Sequence, residues 1–177
     1  MACTQTLSNI TRQCEDKKNK GGLHTTVWLA NHDEVKVTFA NGDISAIDPV
    51  GSSISWVKFE FAKGGATFET ESSFDGETGD YQFSTNNLTI NLRKQNAAKR
   101  TALNAVLESE TFAIVRDANG VYYAMGTEEY VSVTAASATT GTARTDTNQM
   151  SVTLTDTTSG FCPQVSEQII TSLNLPA

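Results

Sequence analysis

An alternation of apolar and polar residues with a period of two runs through residues 53–93 and restricts the fold more than any other feature. Such alternation predicts β-strands that bury one face and leave the other wet. A turn is predicted at Gly64-Gly65 and a polar loop at residues 73–80, so we expect one long meander with this loop at its tip. The face expected in the core carries Val57, Phe59, Phe61, Phe68, Leu88, Ile90 and Leu92, and the opposite face carries Lys58, Glu60, Glu69, Glu71, Asn91 and Arg93.

The rest of the pattern predicts further short strands and a single helix. Asn96 is expected to cap an α-helix over about residues 97–109, whose apolar arc includes Leu103 and Val106. With about eight strands in all, we predict a mainly β fold, a two-sheet sandwich or partly closed barrel with one flanking α-helix. The other predicted elements are strands near 27–29 and 35–39, a turn at 41–43, a hairpin over 111–116 and 121–125, a last strand pair over 130–134 and 149–155 joined by a loop at 135–148, and a tail from Gln164 that fits either an added strand or one helical turn.

Length and composition favour one domain preceded by an arm. A chain of 177 residues is long enough for one well-packed core. Residues 1–22 lack apolar periodicity, so we expect an extended N-terminal arm before a single β domain over 23–177. The 25 Thr and 15 Ser residues are typical of strands with polar outer faces.

The charge balance excludes several classes of partner. The 13 Lys and Arg residues against 20 Asp and Glu residues leave a net charge of −7, which opposes a tight grip on a nucleic acid backbone. The sequence has no apolar run of the roughly 18 residues needed for a membrane span and no signal peptide core, so we expect synthesis in a cytoplasm and no membrane partner. In that compartment Cys3, Cys14 and Cys162 are expected as thiols, although late pairing of Cys3 with Cys14 stays open.

Candidate chemistry is sparse, and we predict neither an enzyme nor a bound cofactor or metal. His24 and His32 are the only histidines, and Cys14 lacks the sequence context of a nucleophile. A zinc site from these residues and Cys3 would have no closely spaced ligand pair. The acidic loop 73–80 superficially resembles a calcium loop but lacks the final bidentate acid, and the pair Glu69 and Glu71 lacks the apolar pocket that acid catalysis needs.

Several segments together resemble a known family. They are the opening MACTQTLSNITRQCED, the Ala- and Leu-rich helix after the central strands, residues 117–126 (DANGVYYAMG), and residues 139–143 leading into 151–155. With these segments the chain resembles the major tail tube proteins of long-tailed bacteriophages and prophages, notably those of Bacteroidetes, which are similar to the tube proteins of type VI secretion systems. The resemblance covers most of the chain and includes no catalytic signature.

The resemblance implies a structural virion protein whose hexameric rings stack into a hollow tail tube. In such a tube the polar face of residues 53–93 would line the channel, and phage DNA would pass along it without specific binding. The arm and the loops 73–80 and 135–148 would reach neighbouring subunits, and sheath, tape measure and tail-end proteins would be further partners. The implied positions are Lys58, Glu60, Glu69, Glu71, Asn91 and Arg93 for the channel, and Lys17, Lys18, Lys20, Asp75, Glu77, Asp80 and Arg100 for contacts between subunits or rings.

Two other readings of the residues stay open. One is a monomeric β-barrel that binds a small molecule in a pocket lined by Trp28, Trp56, Tyr122 and Tyr123. The other is a different tail component, such as a tail-completion or neck protein, with the same fold.

Overall fold

The computed structural model describes residues 9–11 and 18–176. The predicted mainly β fold is confirmed, with eleven strands in the described residues where about eight were expected, and with a second, short helix near the C-terminus. A 3-10 turn lies at His32–Glu34. In chain order the elements are β1 (Leu23–Asn31), β2 (Val35–Ala40), β3 (Asp43–Pro49), β4 (Val57–Glu60), β5 (Ala66–Phe74), β6 (Tyr81–Arg93), α1 (Ala97–Glu108), β7 (Thr111–Asp117), β8 (Tyr122–Met125), β9 (Ser132–Thr139), β10 (Gln149–Thr158), β11 (Gln164–Val165) and α2 (Glu167–Ser172).

The strands form three antiparallel sheets. The larger sheet has the order β11-β8-β7-β1-β4, the second has the order β5-β6-β10-β9, and β2 pairs with β3 as a separate hairpin. Neither large sheet closes on itself among the described strands, so the arrangement is consistent with an open two-sheet sandwich. No helix in the described part of the chain is long and apolar enough to cross a membrane.

The main core lies between the two large sheets, where alternate side chains of each strand point inward. Leu88 and Ile90 on β6 and Leu154 on β10 are at most 1 % exposed, and they pack with Val27 and Val115 of the opposite sheet. Burying an aliphatic side chain of this size contributes about 1.5–3 kcal/mol. The period-two pattern of residues 88–92 is therefore the sequence signature of this core.

A second core covers the other face of the five-stranded sheet. Trp28, Phe112 and Ile114 point away from the main core and are covered by the β2–β3 hairpin, α2 and the C-terminal residues. The indole Nε1 of Trp28 donates a hydrogen bond to the Pro176 carbonyl at 3.0 Å, which ties down the end of the chain. Because β1 and β7 are covered on both faces, their central residues are buried without alternation.

The predicted helix is confirmed within one residue at its C-terminal end. Asn96 caps α1, since its side-chain Oδ1 accepts a hydrogen bond from the Lys99 backbone N–H at 2.8 Å. Leu103 and Val106 point into the main core, so the helix closes one opening between the sheets. The ambiguous tail contains both predicted alternatives, because the strand β11 is followed directly by α2.

The prediction that residues 53–93 form one meander is wrong. β4 pairs with β1, with Thr26 opposite Glu60, whereas β5 and β6 belong to the other sheet. The chain crosses between the sheets at Gly65, whose N–H donates to the Ala62 carbonyl at 2.7 Å. A Cβ atom on residue 65 would lie only 2.7 Å from that carbonyl oxygen, so the crossing requires glycine. Val57, expected in the core, is 53 % exposed because it lies at the start of an edge strand.

Two predicted loops are shorter than expected. β9 extends through Thr139, so residues 135–139 of the predicted loop are strand and the connection spans only residues 140–148. β5 likewise extends to Phe74, which shortens loop 73–80. Small residues such as Ala135 and Ala138 are poor strand formers by themselves, but β10 supplies the pairing that extends β9. The sequence pattern also missed β3, which completes the hairpin at the correctly predicted Asn41-Gly42 turn.

Candidate functional surface

The outward face of the four-stranded sheet is built mostly from hydroxyl and amide side chains. We call it the hydroxyl face. It arises because every second residue of these strands points away from the main core, while the intervening residues are buried. It comprises Thr67, Glu69, Glu71 and Ser73 of β5, Phe83, Thr85, Asn87, Thr89, Asn91 and Arg93 of β6, Gln149, Ser151, Thr153, Thr155 and Thr157 of β10, and Ser132, Thr134, Ala135, Ser137 and Thr139 of β9.

Cross-strand hydrogen bonds join many of these side chains. The Thr155 hydroxyl donates to Asn87 Oδ1 at 2.8 Å and lies 2.9 Å from the Thr134 hydroxyl, so one chain of hydrogen bonds crosses β6, β10 and β9. Thr89 and Thr153 form a second pair, with their hydroxyl oxygens 3.0 Å apart. The hydroxyl groups are therefore partly occupied by each other, which fixes their rotamers and leaves an ordered surface.

Charge on the hydroxyl face is confined to its margins. Glu69 and Glu71 lie on the edge strand β5, opposite Asn87 and Thr85, and both are exposed. Arg93 is the last residue of β6. The middle of the face thus carries uncharged groups that hydrogen bond, and it has no cluster of cations that could hold a phosphate backbone.

The structure brings together four of the six positions predicted for a channel wall. Glu69, Glu71, Asn91 and Arg93 share the hydroxyl face, but Lys58 and Glu60 do not. Those two side chains lie on β4 in the other sheet, where the Lys58 ammonium and the Glu60 carboxylate form an ion pair at 2.8 Å. The alternation in residues 53–93 predicts one shared face for all six residues. A period of two shows which residues of one strand share a face, but not which strands lie side by side.

Both edges of the four-stranded sheet are open in the described residues. β5 pairs only with β6, and β9 pairs only with β10. An edge strand presents backbone N–H and C=O groups that can pair with another chain. Along β9 the exposed residues are small, with Ala135, Ala136 and Ala138 among them, so a neighbouring backbone meets little steric hindrance.

The positions predicted for contacts between subunits are spread over separate surfaces. Lys17 lies outside the described residues. Lys18 and Lys20 are exposed, and the Lys20 N–H donates to Asn119 Oδ1 at 2.8 Å beside the β7–β8 turn. The remaining four residues lie at opposite ends of the four-stranded sheet: Asp75, Glu77 and Asp80 at the β5–β6 turn, and Arg100 in the first part of α1.

The β5–β6 turn is well organised by its own hydrogen bonds. Asp75 Oδ1 accepts from the backbone N–H groups of Glu77 and Thr78 at 2.8 Å each. These backbone donors lower the pKa of the Asp75 carboxyl. The carboxylate that resembled a calcium ligand in the sequence is therefore used to fix the turn.

The candidate chemistry considered above finds little support in the geometry. No group of three or more His, Cys, Asp or Glu side chains comes together as a metal site within the described ranges. Cys162 is buried, its thiol donates to the Ala124 carbonyl at 3.3 Å, and burial raises its pKa strongly, so the thiol stays protonated. Cys3 and Cys14 lie outside the described residues.

The four aromatic residues of the alternative ligand pocket do not share one cavity. Trp28, Trp56 and Tyr122 pack in the second core, where the rings of Trp28 and Tyr122 are 6.4 Å apart. Tyr123 points to the opposite face and packs against Phe68, with the ring centroids 5.4 Å apart. A single pocket built from all four, as in a ligand-binding barrel, is thus contradicted by the fold.

Sequence reasoning missed most of the hydroxyl face. Thr85, Asn87 and Thr89 lie within the predicted meander, and Thr153 and Thr155 lie in a predicted strand, yet no role was assigned to them. The usable signal was the strict alternation of Thr or Ser with buried residues along β10. No protein family, curated protein or solved structure gives a significant match to this chain.

Proposed function

We propose that this protein is the subunit of a phage tail tube, in which copies form rings, the rings stack, and the hydroxyl face lines the channel through which DNA is delivered. The observation that carries the proposal is the hydroxyl face itself: it is four strands wide, wet on one side and packed on the main core on the other. In such a tube the hydroxyl face is the wall of the channel, and the protein is a component of the virion tail.

The composition of the face suits the passage of a polyanion. A wall rich in Lys and Arg would hold each phosphate by a charge-assisted contact and slow the movement of DNA. Thr, Ser and Asn side chains offer no such charge, and cross-strand bonds already occupy several of their hydroxyl groups. The carboxylates of Glu69 and Glu71 at the margin would repel the backbone and keep it away from the wall.

The open edges suit the closure of a ring. If β5 of one copy paired with β9 of the next, the sheets of successive copies would merge, and the hydroxyl face would become the continuous inner surface of a barrel. Each contact would join two different surfaces, which is the heterologous geometry that generates rings. Sheath, tape measure and tail-end proteins would then meet the outside or the ends of the tube.

Imaging tests the proposal. Negative-stain electron microscopy of the purified full-length chain at rising concentration is expected to show rings and hollow tubes of uniform diameter. Rings that never stack would favour a tail-completion or neck protein, and a protein that stays monomeric at every concentration would contradict both.

Charge reversal on the channel wall tests the position of the hydroxyl face. We predict that Glu69→Lys with Glu71→Lys still forms tubes but delivers about tenfold less DNA per particle, because each lysine adds an attractive phosphate contact. The matched control, Glu69→Gln with Glu71→Gln, removes the charges without adding cations and is expected to deliver DNA normally. Normal delivery by the lysine variant would place these residues outside the channel.

A further inference from the structure

The two ends of the four-stranded sheet carry opposite charge. At one end lie the β5–β6 turn with Asp75, Glu77 and Asp80, and the β8–β9 connection with Glu128 and Glu129. Glu128 is held at this end because its carboxylate accepts hydrogen bonds from the backbone N–H and the hydroxyl of Ser159, directly after β10. No lysine or arginine forms an ion pair with these acids among the described residues.

The opposite end is basic. β6 ends at Arg93, Lys94 follows, and α1 brings Lys99 and Arg100 to the same place. The Lys99 ammonium donates to the carbonyls of Arg93 and Lys94, and the Arg100 guanidinium donates to Gln95 Oε1 at 2.8 Å. These bonds hold the cations in place without neutralising them, since no carboxylate of the described chain pairs with them.

The acidic end also projects as a two-stranded finger, which we define as residues 73–83. Pairing of β10 with β6 stops at Ser84, whereas β5 and β6 continue together to the pair Phe74 and Tyr81. Phe74, Tyr81 and Phe83 are 61, 42 and 40 % exposed on this finger. The rings of Phe74 and Tyr81 pack against each other with their centroids 5.9 Å apart, and the Tyr81 hydroxyl lies 3.0 Å from that of Ser84, so Phe74 is the most available of the three for a contact. An exposed aromatic cluster of this kind is typical of a contact surface.

A groove that complements the finger in polarity and charge lies beside α1. It has a volume of about 260 Å³, and Arg100 is one of the residues that line it. Its lining is largely apolar and includes Leu107, which is 45 % exposed, together with Ala136, Ala138 and Met150. The groove can therefore receive an aromatic side chain while the basic residues next to it meet carboxylates.

The finger cannot reach this groove on its own molecule. The 13 residues of β6 separate Tyr81 from Arg93 by about 40 Å of extended, paired strand. Any contact between the finger and the groove must therefore join two copies, and each copy then still offers a free groove or a free finger for another.

We infer that the finger of one copy docks in the groove beside α1 of a second copy, with Phe74 in the groove and Glu77 and Asp80 facing Lys94 and Arg100. The occupant is a second copy of this chain because both halves of the contact belong to this chain and complement each other in charge. The internally bonded turn at Asp75 lowers the entropy cost of docking. This inference deepens the proposed function, on which it rests, by naming the contact that repeats head to tail.

A charge swap in the full-length protein tests the contact. Variant one carries Glu77→Arg and Asp80→Arg, which leaves Asp75 and its turn intact, and variant two carries Lys94→Glu and Arg100→Glu. Each alone sets like charges against each other, so the concentration at which large assemblies appear in sedimentation should rise about tenfold or more. An equimolar mixture should assemble as the natural protein does, because each altered surface then meets an oppositely charged one.

Controls separate the possible outcomes. Asp43→Arg with Asp48→Arg changes the net charge as much as variant one but lies on the β2–β3 hairpin, and it should assemble normally. Thermal unfolding of each variant checks that it is folded. If the natural protein forms stacked tubes and both charge variants do so equally well, or the mixture fails to recover, the docking inference is wrong and the proposed function stands. If the natural protein forms no rings or tubes, the proposed function itself fails.

Discussion

Asp156 shows how a single residue can oppose the pattern in which it lies. It occupies an inward position of β10, follows Val152 and Leu154 in the alternation, and is only 4 % exposed. Its Oδ2 accepts a hydrogen bond from the Gly126 N–H at 2.6 Å, while Oδ1 has no partner among the described residues. Burial in this setting raises the pKa of the Asp156 carboxyl, because the charged form loses its water.

This raised pKa makes the folded state less stable at neutral pH than in acid. The folded state binds the Asp156 proton more tightly than the unfolded chain does. The cost of the buried charge is therefore fully present above the folded pKa, shrinks as the pH falls through it, and is gone below the pKa of the unfolded chain. Asp156→Asn removes the charge and keeps an acceptor for Gly126. We predict that it raises the free energy of unfolding by about 1 kcal/mol near neutral pH, and that the gain shrinks in acid.

Urea unfolding of both proteins at about pH 8 and about pH 4 measures this effect. The control Asp43→Asn alters an exposed carboxyl and is expected to change stability little at either pH. An Asp156→Asn variant that is less stable than the natural protein at about pH 8 would mean that the carboxylate stabilises the fold, against the argument from burial.

At the scale of single elements, α1 depends on its cap and on two buried side chains. Its first turn contains no acidic residue that would favour the N-terminal end of the helix dipole, so Asn96 is the main local signal that starts it. Leu103 and Val106 then attach the helix to the main core, and the same attachment positions Arg100 and Leu107 at the groove. A weakened helix start should therefore affect both the fold and assembly.

We predict that Asn96→Ala lowers the free energy of unfolding by about 1 kcal/mol, because the Lys99 N–H loses its acceptor. Asn96→Ser is the matched control, since a serine hydroxyl can cap the same N–H, and it should lose much less. Chemical unfolding monitored by circular dichroism gives both values. Equal losses for the two variants would show that the cap bond does not account for the effect.

At the scale of the whole molecule, the described residues of both cores belong to the part of the chain that begins at β1. Among residues 9–11 and 18–176, every side chain of the two buried clusters comes from residue 23 or later. The connection to the preceding residues is polar and local: Asn119 accepts from the Lys20 N–H, and its amide donates to Asn19 Oδ1 at 2.9 Å. We therefore expect the chain from residue 23 onward to be sufficient for folding, and the residues before it to be needed for assembly.

We predict that deleting residues 1–22 leaves a folded protein that no longer forms tubes. Circular dichroism and thermal unfolding check the fold, and electron microscopy checks assembly. Asn119→Ala, which removes the local bonds but keeps the arm, serves as the control and should still assemble. Normal tubes from the truncated chain would show that the arm is not needed between subunits.

Local sequence rules predicted the elements whose causes are local. The cap at Asn96 starts α1, the Asn41-Gly42 turn joins β2 to β3, and the alternation of Leu88, Ile90 and Leu92 places them in the core, because a cap, a turn and a period of two depend on near neighbours in the chain. The polar character of the opposite face followed from the same period.

Only the tertiary structure decided which strand lies beside which, because pairing depends on partners distant in sequence. That is why Lys58 and Glu60 lie on a different sheet from Glu69 and Glu71, and why β9 extends beyond its predicted end along β10. The hydroxyl face and the opposed charges of its two ends arise in the same way. The sequence predicts the alternation within each strand, but the hydroxyl face forms only when four strands pair side by side in register.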